Sequence, residues 1–175
     1  MIAGNPAAAE RTLTEARDQL QAQGHHSGYM ADILTWLAEA VYAQGRFDEA
    51  EQLTEQAMAI AGADLESRAL PAATRAKLLA RRGSFAAAMQ LAEEAVKLVA
   101  ATTSKALLGY MLLATAEVSR LAGARGEAAA AVRQALEIYQ DAQATALADQ
   151  AKAALASLTE HTATAAQIPT EAAGQ

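Results

Sequence analysis

The sequence predicts an all-α fold in which antiparallel helical hairpins stack as a right-handed α-solenoid of about eight helices. Hydrophobic residues make up 53% of the 175 residues but aromatic residues only 4%, so the apolar content is mostly Ala and Leu, which favour packed helices over sheets. Helix-forming stretches recur around Gly45, Gly83 and Gly123, which are 38 and 40 residues apart. No strand-length segment alternates β-branched or aromatic residues with polar ones.

Each of these glycines is predicted to end one helix in a left-handed backbone conformation that a β-carbon would disfavour. A second helix then begins two or three residues later. Asp48 and Glu49 lie in the first turn of one such helix, where negative charge suits the helix dipole, and Ser84 suits the N-cap of another. An aromatic residue just after the glycine, Phe47 or Phe85, is expected to fill the junction between the paired helices.

Small residues at matching positions are expected to let the two helices of each hairpin approach closely. These pairs are Ala38 with Ala50, Ala76 with Ala88, and Ala116 with Ala128. We expect a single domain over residues 1–158 and a flexible tail over residues 159–175. The domain would comprise an incomplete first repeat at about 6–24, repeats at about 29–62, 67–101 and 104–140, and a closing helix at 141–158.

The pattern around Gly45 resembles the tetratricopeptide repeat. The positions of that repeat are taken in order by Leu34, Leu37, Ala38, Val41, Gly45, Phe47, Ala50 and Ala57. The second copy departs from the pattern at Arg75, and the third departs at Thr115, Ser119 and Arg125. The resemblance implies a helical array in which the first helices of the repeats line a concave groove.

Three stretches are also similar to the C-terminal helical region of large bacterial signalling proteins. They read "LAEAVYAQGRFDEAEQLTEQA", "TRAKLLARRGSFAAAMQLAEEAVKLVA" and "ATAEVSRLAGARGEAAAAVRQALEIYQ". Proteins of that family join a class III nucleotide cyclase domain or a transcriptional activator module to an ATPase and then to such repeats. The likeness extends roughly over residues 9–158, and no G-x-x-x-x-G-K-[ST] phosphate loop occurs, so it covers the scaffold portion alone.

Composition and charge argue against several classes of function. The net charge of −6 disfavours nucleic acid as a partner, and the absence of cysteine excludes disulfides and thiolate chemistry. The longest apolar run, residues 106–114, is too short to span a membrane, so we expect a soluble, cytoplasmic protein. His25 and His26 are adjacent and fit a loop better than a metal site. We therefore expect no enzyme activity, cofactor or metal.

Trp36, Glu39 and Tyr42 form the first candidate partner-binding group. On the repeat template they lie three and six residues apart on the side that faces the groove. Exposed Trp and Tyr side chains are typical anchors for a protein partner. The alternative is that a neighbouring N-terminal element covers Trp36. Tyr110, early in the third repeat, would extend the same stripe.

Lys77 and Arg81 form the second candidate group, because residues four apart on a helix share a face. Their cations could hold a carboxylate, a peptide C-terminus or a phosphate. The alternative is that these cations form salt bridges with Glu39, Glu117 or other acids on adjacent helices.

The sequence therefore favours a non-catalytic interaction module that binds a peptide or a neighbouring domain in its concave groove. The alternative function is a small-molecule-sensing domain of a bacterial signalling or transcription regulator, with Thr115 and Ser119 lining a cavity. Residues 6–24 look like the second helix of a repeat whose first helix is missing. A homodimer through that N-terminal end is a further expectation.

Overall fold

The structure is a computed structural model that describes residues 4–24 and 28–165. Among these residues it contains eight helices and no strand, which confirms the predicted all-α solenoid of helical hairpins. The helices are α1 (Pro6–Ala22), α2 (Gly28–Ala43), α3 (Phe47–Ile60), α4 (Leu65–Arg81), α5 (Phe85–Ala100), α6 (Lys105–Leu121), α7 (Arg125–Asp141) and α8 (Thr145–Ala165).

The three predicted hairpin turns join α2 to α3, α4 to α5 and α6 to α7. Gly45, Gly83 and Gly123 each have φ of +80°, in the left-handed region that the sequence predicted. The residue after each glycine donates its N–H to the carbonyl five residues earlier, at 2.9–3.3 Å, and so closes the helix end. A β-carbon at these positions would meet no atom within 4 Å. Glycine is therefore required by the backbone conformation and not by crowding.

Small residues form the seams between paired helices, as predicted. The six alanines at the matching positions are all buried, with at most 4% of their surface exposed. One close approach lies between α6 and α7, where Gly109 faces the fully buried ring of Tyr139. This seam has no room for even a β-carbon, which would lie 2.4 Å from Cε1 of Tyr139.

The first helices of the hairpins form the inner side of the array. Helix α4 packs against both α2 and α6, whereas α3, α5 and α7 make at most marginal contacts with one another among the described residues. Closer spacing on one side curves the array towards that side. We name α2, α4 and α6 the inner row; it corresponds to the concave groove expected from the sequence.

The prediction for Phe85 is wrong, because 40% of this side chain is exposed. Phe47 does fill its junction, where its ring meets the ring of Tyr42 with centroids 5.2 Å apart. The position in the second hairpin that corresponds to Tyr42, 38 residues on, is Ala80. Phe85 therefore has no aromatic partner at the turn.

The C-terminal boundary also differs from the prediction. Helix α8 begins at Thr145 because α7 continues through Asp141. It then runs through Ala165, so the first part of the predicted tail at 159–175 is helical; no Gly or Pro interrupts the helix there. Residues 166–175 lie outside the described part of the chain. None of the helices in the described part is both long and apolar enough to cross a membrane.

Candidate partner-binding site

The five predicted partner-binding residues all lie on the inner row. Trp36, Glu39 and Tyr42 belong to α2, and Lys77 and Arg81 belong to α4. Side chains of α2 reach over α4 and touch those of α6, which shows how strongly the row is curved. The curvature brings all five into one layer of contacts across three hairpins.

The centre of this layer is an ion pair between Lys77 and Glu39. Lys77 Nζ lies 2.5 Å from Glu39 Oε2, and the side chains are only 6% and 9% exposed. The Thr74 hydroxyl donates to the other oxygen of Glu39 at 2.7 Å. Lys77 Nζ also lies 4.7 Å from the centre of the Tyr42 ring. Each charge is thus compensated within the fold, as the salt-bridge alternative expected.

Glu117 on α6 organises the second part of the layer. The Tyr42 hydroxyl donates to Glu117 Oε1 at 2.6 Å, and in turn accepts a hydrogen bond from Arg81 Nε at 3.0 Å. Burial, followed by the nearby charge of Glu117, raises the pKa of Tyr42, which therefore stays protonated as a donor. The hydrogen bond to Tyr42 is the main reason that the pKa of Arg81 is raised. One carboxylate thereby links all three inner helices.

The aromatic residues are less exposed than the sequence suggested. Tyr42 is only 7% exposed, so the expectation of a free Tyr anchor is wrong. Trp36 is half-buried, and its ring packs against Tyr110 of α6 with centroids 5.1 Å apart. The described residue that packs on the Trp36 ring thus comes from a later hairpin and not from the N-terminal side. Tyr110 thus does lie next to Trp36, but as a packed contact between hairpins.

A cavity of about 470 Å³ opens beside this layer, at the end of the inner row where α2 turns into α3. Half of the eight described residues that line it are charged. The lining residues are Glu39, Tyr42, Ala43, Gly45, Phe47, Lys77, Arg81 and Glu117. Four of the five predicted residues therefore line one cavity, whereas Trp36 does not.

Glu117 and Phe47 also line the cavity, although neither is among the five residues predicted from the sequence. The sequence suggests Glu117 only as a salt-bridge acceptor and Phe47 only as a residue that fills the helix junction. In the structure the Arg81 guanidinium also lies 4.7 Å from the centre of the Phe47 ring. The spacing of charged residues in the sequence does point to Glu117. Glu39, Lys77 and Glu117 are separated by 38 and 40 residues, like the three turn glycines, so they occupy equivalent positions with alternating charge. Such alternation predicts pairing between adjacent hairpins.

The described residues offer this cavity hydrogen bonding and charge, and no group that could hold a metal. No three acidic or histidine side chains among them converge in a way that could bind an ion. His25 and His26 lie outside the described residues. Thr115, expected as a possible cavity wall, donates its hydroxyl to the carbonyl of Met111 at 3.0 Å within its own helix. Ser119 is buried.

The comparisons with known proteins agree with this architecture. Residues 30–62, which span hairpin α2–α3, match the family model for the tetratricopeptide repeat. No curated protein matches the sequence. Among solved structures, the chain is similar to BtubC (BKLC) from P. vanneervenii, with 21% identity and a TM-score of 0.60 over 90% of this chain. It spans 65% of that protein's length, and at this identity the likeness shows the fold alone. The resemblance to bacterial cyclase and ATPase regulators stays a prediction.

Proposed function

We propose that this all-helical repeat array, whose residues 30–62 match the tetratricopeptide repeat, is a non-catalytic module that binds a peptide segment of a protein partner on its inner row. Repeats of this type generally mediate protein–protein interactions, and the fold is typically non-catalytic. The observation that carries the proposal is the cavity of about 470 Å³ lined by Tyr42, Phe47, Lys77 and Arg81.

The chemistry of this cavity suits a side chain with a polar end. Phe47 and the ring of Tyr42 provide an apolar wall, and Arg81 lies against both rings, at 4.7 and 5.4 Å from their centres. A guanidinium that contacts aromatic rings can keep N–H donors for a ligand. The buried charges of Lys77 and Glu39 already pair with each other, so a ligand group can bind at Arg81 without leaving either of them uncompensated.

A small-molecule sensor is the second candidate, since the cavity volume lies within the range of about 300–1,000 Å³ of small-molecule sites. Such sites are mostly apolar with a few polar groups. Here half of the lining residues are charged, which favours a peptide. A thermal-shift screen with metabolites separates the two: a reproducible rise in melting temperature with one compound class would support the sensor.

The sequence resemblance supports a finer version of the proposal. The array would be the scaffold segment of a cytoplasmic bacterial signalling or transcription regulator. A cyclase, activator or ATPase domain in the same reading frame would support this version.

The test of peptide binding uses two adjacent arginines of α4. Peptides are first selected against the intact protein by phage display, and their affinities are then measured for Arg81→Ala and Arg82→Ala. Both variants lose one positive charge and its ion pairing, but Arg81 pairs with Glu117 at the cavity, whereas Arg82 pairs with Glu51 and Asp48 away from it. We expect Arg81→Ala to weaken binding by about tenfold and Arg82→Ala to leave it unchanged. Failure to select any peptide, or equal effects of both variants, would overturn the proposal.

A further inference from the structure

A second cleft lies on the inner side of the array, between α6 and α8. Helix α8 packs against α7, but among the described helices its contact with α6 is at most marginal, unlike the contacts that join α2, α4 and α6. The gap leaves a cavity of about 260 Å³. Its apolar walls come from Leu113, Ala116, Val132, Ala154 and Leu158.

Two arginines stand where this cleft meets the first cavity. Arg81 and Arg120 both approach Glu117 Oε1, at 3.4 and 3.7 Å, and the Tyr42 hydroxyl already occupies that oxygen at 2.6 Å. Charge-assisted hydrogen bonds to a carboxylate are normally about 2.7–2.9 Å long. Both contacts are therefore weak. The two arginine side chains are 35% and 46% exposed, so they keep donors for another acceptor.

The local charge is opposite to the charge of the whole chain. A third cavity of about 350 Å³, lined in part by Arg120 and Arg125, adjoins the cleft. Among the described residues that line the first cavity and the cleft, the charged ones are the cations Lys77, Arg81 and Arg120 and the anions Glu39 and Glu117. This is a local excess of positive charge in a chain whose net charge is −6. Electrostatic complementarity therefore favours an acidic partner.

We propose that the α6–α8 cleft and its two arginines bind an acidic peptide segment that carries one large apolar side chain. The apolar side chain enters the cleft, and a carboxylate of the peptide lies between Arg81 and Arg120. The cleft volume falls below the lower bound of about 300 Å³ for small-molecule sites, which favours a single side chain as the occupant. This inference rests on the proposed function and names the chemistry of the partner.

The probes are short fluorescein-labelled Gly/Ser peptides that contain one Leu followed by two Glu. In matched peptides Lys replaces Glu, or Ser replaces Leu. Binding to the intact protein is followed by fluorescence anisotropy. We expect the Leu/Glu peptide to bind about tenfold more tightly than either matched peptide, and its advantage over the Lys peptide to shrink with added salt.

Two pairs of variants locate the binding. Arg120→Glu should abolish the preference for Glu, whereas Arg133→Glu, the same charge change at an exposed position of α7, should preserve it. Ala154→Phe should fill the cleft and weaken binding about tenfold, whereas Ala153→Phe on the exposed side of α8 should not. Far-UV circular dichroism verifies that each variant is folded, and light scattering tests whether a second copy of the chain occupies the cleft.

The outcomes separate this inference from the proposed function. Equal binding of the Glu and Lys peptides, or equal effects of the two arginine variants, would overturn the acidic-partner inference while peptides selected by phage display still bind the first cavity. Self-association that Ala154→Phe abolishes would overturn it in favour of a second copy. Loss of the Glu preference in Arg120→Glu alone would establish it.

Discussion

Replacing Gly109 by alanine is the sharpest test of how the hairpins pack. The new β-carbon would lie 2.4 and 2.5 Å from Cε1 and Cζ of Tyr139, where ordinary contacts are 3.4–4 Å. The Tyr139 ring is fully buried, so it cannot swing into solvent. Overpacking of this kind costs up to about 3 kcal/mol, and the better helix propensity of alanine returns about 1 kcal/mol. We expect a net loss of about 2 kcal/mol.

The loss of unfolding free energy is measured by urea denaturation, with circular dichroism as the signal. In thermal unfolding the same loss should lower the melting temperature by about 4–8 °C. Gly126→Ala in α7 is the control, because its β-carbon would meet no atom within 4 Å. It should be neutral or stabilising by up to about 1 kcal/mol. In a Tyr139→Leu background the cost of Gly109→Ala should largely disappear. If Gly109→Ala stabilised the protein as Gly126→Ala does, the close α6–α7 seam would be refuted.

Three further substitutions test other parts of the structure by the same unfolding assay. Gln143 at the α7–α8 turn has φ of +54°, which glycine adopts more easily than glutamine. Gln143→Gly should therefore stabilise the protein by about 0.5 kcal/mol, and a loss of stability would contradict the left-handed conformation. Lys77→Met should lower the free energy of unfolding by about 3 kcal/mol, because it leaves Glu39 buried without its cation. Adding Glu39→Leu to this variant should recover part of the lost stability. Strictly additive effects of the two substitutions would mean that the ion pair is not formed. Burial raises the pKa of Asp32, so its ionisation costs stability above that pKa and the cost vanishes below the ordinary value of 3.8. Asp32→Asn should therefore stabilise the protein at neutral pH but not at acid pH, and an equal effect at both would contradict this cause.

The turns and seams could be predicted because their signals are local. A glycine at the end of a helix indicates a left-handed residue whatever the rest of the chain does, and all three turn glycines have that conformation. The alanine seams follow from the same spacing. Phe85 shows the limit of this reasoning, because the burial of its ring depends on the residue across the turn. Ala80 takes the position that Tyr42 has in the first hairpin, so Phe85 stays 40% exposed.

The candidate site was harder to predict, since its geometry depends on the curvature of the array. The sequence places Trp36 and Tyr42 on the inner face, but not how closely α6 approaches them. Curvature turned the expected free anchors into packed contacts and made Glu117 a shared acceptor. The pairing of opposite charges along the row could be predicted from their spacing alone. The burial of these charged residues could not be predicted from the spacing.

Photo-crosslinking tests most directly whether the inner row holds the partner. A peptide selected against the protein is made with a diazirine side chain, irradiated in the complex, and its attachment sites are mapped by mass spectrometry. We expect attachment to α2, α4 and α6 around Tyr42, Arg81 and Glu117, with loss of these products in excess unlabelled peptide. Attachment confined to the outer helices α3, α5 and α7 would contradict it.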